Sequence, residues 1–305
     1  MTQTVLITGA HGFLGRHAAR HFAQQGWQVV GMGHGDYTTE QALAWGIHTW
    51  IAGDICPETL ARVPAPPDAV VHCAGGASVG QSLAAPLRDF ERTVHTCVAV
   101  LEYVREHAPQ ARIAYPSSAA VYGGTKAAHI AEDTPAHPIS PYGLHKEMAE
   151  VCCRDYAEQH GLAVCLVRFF SLYGSGLRKQ LLFDACQKAQ AGAFEFFGSG
   201  QEERDYLHVT DAARLLFLAV QAASPACPVV NGGSGRGLST REVLTALAHC
   251  WGENLAPRFN GTVKQGDPQR LVADISGITA WGFAPSVDFQ SGLRDYVAWF
   301  KQGQP

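Results

Sequence analysis

Tyr142 and Lys146 stand at i and i+4 in "SPYGLHK" (140–146). On a helix that spacing puts both side chains on one face. An ammonium beside a phenol favours the phenolate. A tyrosine so tuned can pass the proton of a carbonyl/alcohol pair while a hydride moves. Ser117 and Ser118 end the strand-like run "RIAYPSS" (112–118), where Ser118 is placed to hydrogen-bond the reacting oxygen. A Y-x-x-x-K pair alone is common, but a glycine loop near the start of the sequence gives it weight.

That loop is "LITGAHGFLGRH", with Gly9, Gly12 and Gly15 between a strand and a helix. The pattern is G-x-x-G-x-x-G. Gly9 permits the tight turn, Gly12 lets backbone N–H groups approach a pyrophosphate, and Gly15 lets the helix pack close to the strand. The helix N-terminus adds a partial positive charge. The loop predicts a dinucleotide site, and Lys146 is then available to hold the nicotinamide ribose.

The second strand raises a question about which dinucleotide. An NAD site is expected to carry Asp or Glu where this strand ends, on the ribose hydroxyls. Here "QVVGMGHGDY" (28–37) puts Gly33 or His34 there. Gly33 removes the repulsion of a 2′-phosphate, His34 can donate to one, and Arg16 just past the loop adds charge. The reading favours NADP(H) over NAD(H). Asp36 is the acid that could swing back and reverse it.

The elements that must position these residues follow a clear rhythm. "TVLIT" (4–8) precedes "GRHAARHFAQQG", "QVVGM" precedes "TTEQALAWG", and "DAVVHCA" (68–74) precedes a long helical stretch over 86–108. "RIAYPSS" precedes a helix over 141–161, and "AVCLVRFFS" (163–171) follows it. Alternating continuous apolar strands and helices predict an α/β fold, a Rossmann-type doubly wound parallel sheet. After residue 171 the rhythm changes to a helix, a glycine turn and another helix, then one more strand in "PVVNGGSG" (228–235). The expected division is a dinucleotide-binding domain over 1–171 with a return near 205–235. The smaller C-terminal lobe takes 172–204 and 236–305.

Composition bounds the rest. The chain has 305 residues, 47% hydrophobic and 16% charged, with net charge −4, which gives no electrostatic case for nucleic acid or an anionic membrane. No run approaches 18 apolar residues, so no membrane span is expected. "MTQTVLITGA" enters a strand directly, so no signal segment is expected. Nine scattered cysteines without a C-x-x-C pair fit a reducing cytoplasm, and fourteen histidines show no metal-ligand spacing.

Together these segments resemble the extended short-chain dehydrogenases, in the nucleotide-sugar epimerase/dehydratase/reductase group. "TGAHGFLG", "VVHCAG", "SSAAVYG", "SPYGLHK", "FGSGQEERDYLHVTDAARL" and "GDPQRLVADIS" carry the resemblance over nearly the whole chain. It implies Ser118, Tyr142 and Lys146 as catalytic trio. It implies Gly9, Gly12, Phe13 and Leu14 at the pyrophosphate, Asp54 with Ile55 at the adenine, and Ala74, Gly75 and Phe169 along the cofactor. For a nucleotide-sugar substrate it implies Arg204 as a bidentate diphosphate clamp. Arg270 is a second clamp, and Ser117, Ser171 and Arg178 are further contacts. Asp211 reads as a cap or anchor. A homodimer through the helices of 86–108 and 141–161 is also implied. The chain departs from the family's pattern at Thr93 and Ser171, which stand where Asn is usual, and in "GLRKQLLFD" (176–184).

Within the group, dehydratases carry an Asp–Glu pair after the catalytic hydroxyl. Ala119 and Ala120 stand there and cannot transfer protons, which argues against elimination. An NAD-retaining 4-epimerase and an NADPH-dependent 4-ketoreductase share one trio. The NADP(H) reading tips the expectation to the 4-ketoreductase, with the 4-epimerase as alternative. A non-catalytic dinucleotide sensor is the reading from another class, disfavoured because both Tyr142 and Lys146 are present.

Overall fold

The computed structural model describes residues 2–125, 127–252, 255–262 and 268–303. Its chain divides into two compact units. The first comprises residues 1–123, 135–169 and 212–231, and the second residues 124–134, 170–211 and 232–305.

The first unit is built on a seven-stranded sheet. Its strands are β1 (Thr4–Thr8), β2 (Gln28–Gly33), β3 (Thr49–Ala52), β4 (Ala69–His72), β5 (Arg112–Ser118), β6 (Ala163–Phe169) and the strand Val229–Gly232. From one edge the order is Val229–Gly232, β6, β5, β4, β1, β2, β3. The pairs β1–β2, β1–β4, β2–β3, β4–β5 and β5–β6 are all parallel. The order reverses between β1 and β4, which is where ligands bind in open α/β sheets. Val5, Leu6, Ile7, Val70, Val71, Ile113 and Leu166 are buried, as strands covered on both faces require. The fold class read from the sequence is the one found.

The connecting helices are α1 (Phe13–Gln24), α2 (Thr39–Ala44), α3 (Pro57–Leu60), α4 (Val79–Ala84), α5 (Pro86–Phe90), α6 (Thr96–His107) and α7 (Pro141–His160). α7 starts on Pro141, behind a Ser140 cap that accepts from the Gly143 amide at 3.2 Å, and stops at Gly161 in the left-handed conformation, φ +69. The stretch expected as one helix over 86–108 is interrupted: Glu91–His95 is a π-helical turn between α5 and α6. Such turns accommodate a residue out of α register. Here Thr93 reaches back to the Gly76 amide at 3.0 Å.

In the second unit, strand Glu203–His208 pairs with Ser171–Tyr173, Gly237–Ser239 and Arg270–Leu271. Helices Gln180–Gln190, Thr240–Trp251 and Phe289–Lys301 accompany this sheet. The motif "GDPQRLVADIS" begins at Gly266 and Asp267, which lie outside the described residues. Among the described residues no helix is long and apolar enough to cross a membrane.

Candidate active site

The glycine loop is closed tightly. Gly9 turns the chain at φ +65, and a Cβ there would lie 2.6 Å from the Ala74 nitrogen. A Cβ on Gly15 would lie 2.3 Å from the Gly9 carbonyl oxygen, so α1 could not pack against the loop with any larger residue. The Gly12 amide donates to that same carbonyl at 2.8 Å. α1 begins at Gly12 with no side-chain cap and no acid in its first turn. Such a helix start suits an anionic ligand, so the cradle fits the pyrophosphate of a dinucleotide. Phe13, Leu14 and Arg16 follow, half-buried, on the first turns of α1.

Thr8 and His72 tie the ends of β1 and β4 together. Thr8 Oγ1 lies 2.7 Å from His72 Nδ1 and accepts from the Ala74 amide at 3.3 Å. Complete burial, with Lys146 nearby, lowers the His72 pKa to about 3, so the ring is neutral. Ala74 and Gly75 then leave β4 beside the proposed chemistry. A Cβ on Gly75 would lie 3.8 Å from Lys146 Nζ and 3.8 Å from Thr93 Oγ1. Thr93, one of the departures from the family, is buried and holds this loop through Gly76.

Ser118 ends β5, Phe169 ends β6, and the two are paired in register. Ser118 Oγ accepts from the Ala120 amide at 3.2 Å and acts on Tyr142, whose pKa it lowers. Tyr142 sits in the first turn of α7, its amide donating to Ser82 Oγ at 3.0 Å. Burial raises the Tyr142 pKa, the Ser118 hydrogen bond lowers it, and Asp89 raises it again. Lys146, also buried, donates to the Pro116 carbonyl at 2.8 Å and to Tyr115 Oη at 3.4 Å. Burial lowers the Lys146 pKa, opposed by Cys97, Cys73, Asp89 and Glu150. Asp89 itself pairs with His145 Nδ1 at 2.6 Å in a buried contact.

Ser117 faces the other way. Successive residues of a strand point to opposite sides, and its hydroxyl donates to buried Glu150 at 2.6 Å. Arg168 completes that network with bonds of 2.9 and 2.7 Å to Glu150. The expected substrate role of Ser117 is therefore corrected to a structural one.

The second unit carries a cavity of about 340 Å³ lined by Ser171, Arg204, Gln180, Lys188, Phe197 and Tyr206, among others. Arg204 is held by a 2.8 Å bond from its guanidinium to the Glu203 carbonyl. The next residue, Asp205, points inward and accepts from the Ser234 amide and hydroxyl, both at 2.6 Å. It also accepts from Gly235 and Ala273 amides at 2.9 and 3.1 Å, which fixes the strand carrying Arg204. Arg270 is paired with Glu203 at 2.9 Å, and Arg178 lies over the Trp299 ring at 6.0 Å. Neither lines the cavity. Asp211 is the expected anchor, accepting from Ser286 and Val287 amides at 2.9 and 3.0 Å.

The sequence reading missed Gln180, Phe197 and Tyr206. Gln180 is one of two non-glycine residues with positive φ, +67, among the described residues, and such strain concentrates at functional sites. Its only signal was the unusual run "GLRKQLLFD". Phe197 is 56% exposed and lines the cavity.

The adenosine end of the first unit differs from the NADP(H) expectation. His34 Nε2 contacts Asp54 Oδ1 at 2.8 Å. The guanidinium of Arg16 lies 5.0 Å from the Trp45 ring centroid, and that of Arg20 3.9 Å from it. The cations expected to receive a 2′-phosphate are thus engaged with other groups. Ile55 is buried beside Asp54.

Comparison with known proteins bears on both cofactor and reaction. The chain is 30% identical to UDP-glucose 4-epimerase of Azospirillum brasilense, covering 97% of this chain and 91% of that one. The crystal structure of Thermus thermophilus UDP-glucose 4-epimerase in complex with NAD matches at TM-score 0.87 and 26% identity, over 98% of this chain and 99% of that one. UDP-glucose 4-epimerase of Thermotoga maritima, solved with UDP-glucose, matches at TM-score 0.90 and 24% identity, over 99% and 100%, a likeness of fold. These names overturn the 4-ketoreductase expectation, and the NAD complex leaves the preference for NADP(H) without support. The expectation rested on Gly33 and His34 alone, a local signal that the likeness to NAD-binding epimerases does not support. The model of the NAD dependent epimerase/dehydratase family matches residues 5–231, and on that match and the near-full-length identity the chain belongs to this family.

Proposed function

We propose that the protein is a UDP-sugar 4-epimerase that retains NAD through its cycle. The observation that carries this reading is the near-full-length identity to an enzyme of that name. Half-buried Ser118 and Tyr142 with buried Lys146, beside a pyrophosphate-shaped glycine cradle, support it. When bound, NAD supplies the acceptor for the C4 hydride and its later donor. Tyr142 takes the proton of the C4 hydroxyl and returns it to the ketone oxygen. Ser118, beside Tyr142, holds that oxygen in place. Lys146 is fixed against the Pro116 carbonyl beside Gly75, where it holds the ribose and balances the phenolate charge. Ala119 and Ala120 offer no acid or base for elimination, which keeps the reaction at C4. In the second unit Arg204 holds the diphosphate and Phe197 offers its exposed ring to the base.

Purified protein incubated with UDP-glucose and no added dinucleotide tests the reading. UDP-galactose should appear, and heat denaturation should release NAD and not NADP. Turnover only with added NADPH, or no interconversion of UDP-hexose or UDP-pentose at C4, would refute it.

The same reading includes a homodimer through α7. Leu144, Met148 and Val151 recur at helical spacing and are 46, 38 and 55% exposed, and Leu83 and Leu87 add to the apolar surface. α6 contributes differently from expectation: Cys97, Val100, Leu101 and Val104 are buried within the protomer.

A further inference from the structure

We propose that Asp89, held by His145, is a positioning residue of the reaction: its carboxylate sets the charge balance of the Tyr142–Lys146 pair. The role rests on the part given to Tyr142 in the epimerase reading above. Lys146 is buried, and a charge in the interior needs a counter-charge. The oxygens it donates to, the Pro116 carbonyl and Tyr115 Oη, belong to neutral groups. Two buried carboxylates act on it, Asp89 and Glu150. Glu150 is taken up by buried Arg168, which bonds its two oxygens at 2.9 and 2.7 Å, with Arg154 at 3.2 Å. Asp89 is held by an imidazole instead, with 2.6 Å between its Oδ2 and His145 Nδ1.

The fold brings that carboxylate to the site from two sides. His145 stands one residue before Lys146 and three after Tyr142, so Asp89 is tied to the part of α7 that presents both. On the other side, a Cβ on Gly76 would lie 2.1 Å from Asp89 Oδ1, and one on Gly75 would lie 3.8 Å from Lys146 Nζ. The carboxylate and the ammonium thus flank adjacent residues of one loop. The negative charge favours the protonated form of both groups, the ammonium of Lys146 and the phenol of Tyr142. The ionisable neighbours on and just past β4 and on β5 are uncharged. Burial lowers the His72 pKa to about 3, raises that of Cys73 to about 12 and raises that of Tyr115. Cys97 on α6 also faces Lys146, as a buried thiol 3.7 Å from Cys153 Sγ. α4 has no ionisable side chain, and Arg88, Glu91 and Arg92, next to Asp89 in sequence, are exposed.

Removing a nearby negative charge should lower the pH at which both groups titrate. The Tyr142 phenolate is followed directly, by the ultraviolet absorbance difference between a protein and the same protein carrying Tyr142→Phe. Wild type, Asp89→Asn, His145→Asn and Glu91→Gln are compared, with circular dichroism as the check on folding across the pH range. In Asp89→Asn the phenolate should form at a pH lower by about one, a ratio of phenolate to phenol about tenfold larger at a given pH. The pH profile of kcat/KM for UDP-glucose should move the same way. His145→Asn keeps an N–H donor for Asp89 and removes the titrating ring, so it should change that ratio by less than about twofold. Glu91→Gln removes an exposed carboxylate two residues away, and its effect should be as small. An unmoved titration in Asp89→Asn, or an equal movement in Glu91→Gln, overturns the proposal. A titration that moves in His145→Asn assigns the charge to the imidazole and overturns it as well. The expected movement in a protein that does not interconvert UDP-sugars supports the charge balance and overturns the epimerase reading alone.

Discussion

Tyr142 illustrates how a single side chain is set by opposing influences. Burial raises its pKa, and the Ser118 hydrogen bond is the influence that lowers it. In the proposed reaction the base form is the phenolate, so turnover should rise with pH on the alkaline side of neutrality. Ser118→Ala should move that rise to higher pH as well as slow the reaction, which a pH–rate profile of kcat/KM would show. Tyr142→Phe removes the transferable proton and should lower kcat by about 10²–10⁴-fold, with an unchanged melting temperature. Wild-type turnover in that variant would refute the assigned role. The glycines make a different prediction. Gly9→Ala adds a methyl 2.6 Å from the Ala74 nitrogen at a position with φ +65. It should lower both thermal stability and the NAD retained after purification.

At the scale of elements, β4 and α7 carry buried ionisable groups whose cost is visible in stability. His72 is neutral in the folded chain, with a pKa of about 3 against 6.5 when exposed. The unfolded chain therefore binds a proton that the folded chain refuses as pH falls below 6.5. Stability present above that pH is lost progressively down to about pH 3, with a slope from this one group of about 1.4 kcal/mol per pH unit. Denaturant melts of His72→Asn between pH 7 and 5 should show a shallower acid dependence than wild type. Glu150 on α7 is the opposite case. Burial alone would raise its pKa, but Arg168, Ser117 and Arg154 hold it down. Glu150→Leu removes the carboxylate that neutralises buried Arg168 and should destabilise by about 3–5 kcal/mol, measured by chemical denaturation.

The elements also mark where the sequence could be read and where it could not. β1, β5 and the helix of Tyr142 were legible because apolar runs, Pro141 and Gly161 punctuate them. The π-helical turn at Glu91–His95 was not, because its local residues suit an α-helix. It is stabilised by a distant partner, the Gly76 amide that Thr93 satisfies. Strand Glu203–His208 was absorbed into a helical stretch of the reading. Its alternation of buried and half-buried positions is short, and its partners lie in three separate segments.

At the scale of the whole molecule, two compact units share one chain, and each brings its own chemistry. The first has the glycine cradle and the trio; the second has the Arg204 cavity. The exposed apolar row of α7 belongs to the proposed assembly. Replacing Met148 and Val151 together with Glu puts charge where a second protomer would pack. It should convert a dimer into monomers in sedimentation velocity, and a wild-type monomer at micromolar concentration would refute the proposed dimer.

The sequence by itself determined the family and the glycines of the β1–α1 turn, and it singled out Ser118, Tyr142 and Lys146 as the proposed trio. These depend on residue type and on spacing within single elements, which helix and strand geometry translate directly into position. What only the tertiary structure decided lies between elements. It turned Ser117 to Glu150, engaged Arg16 with Trp45, and set the carboxylate of Asp54 against His34. Each of these depends on which strand or helix lies alongside another, and side chains far apart in sequence meet only once the sheet order is formed.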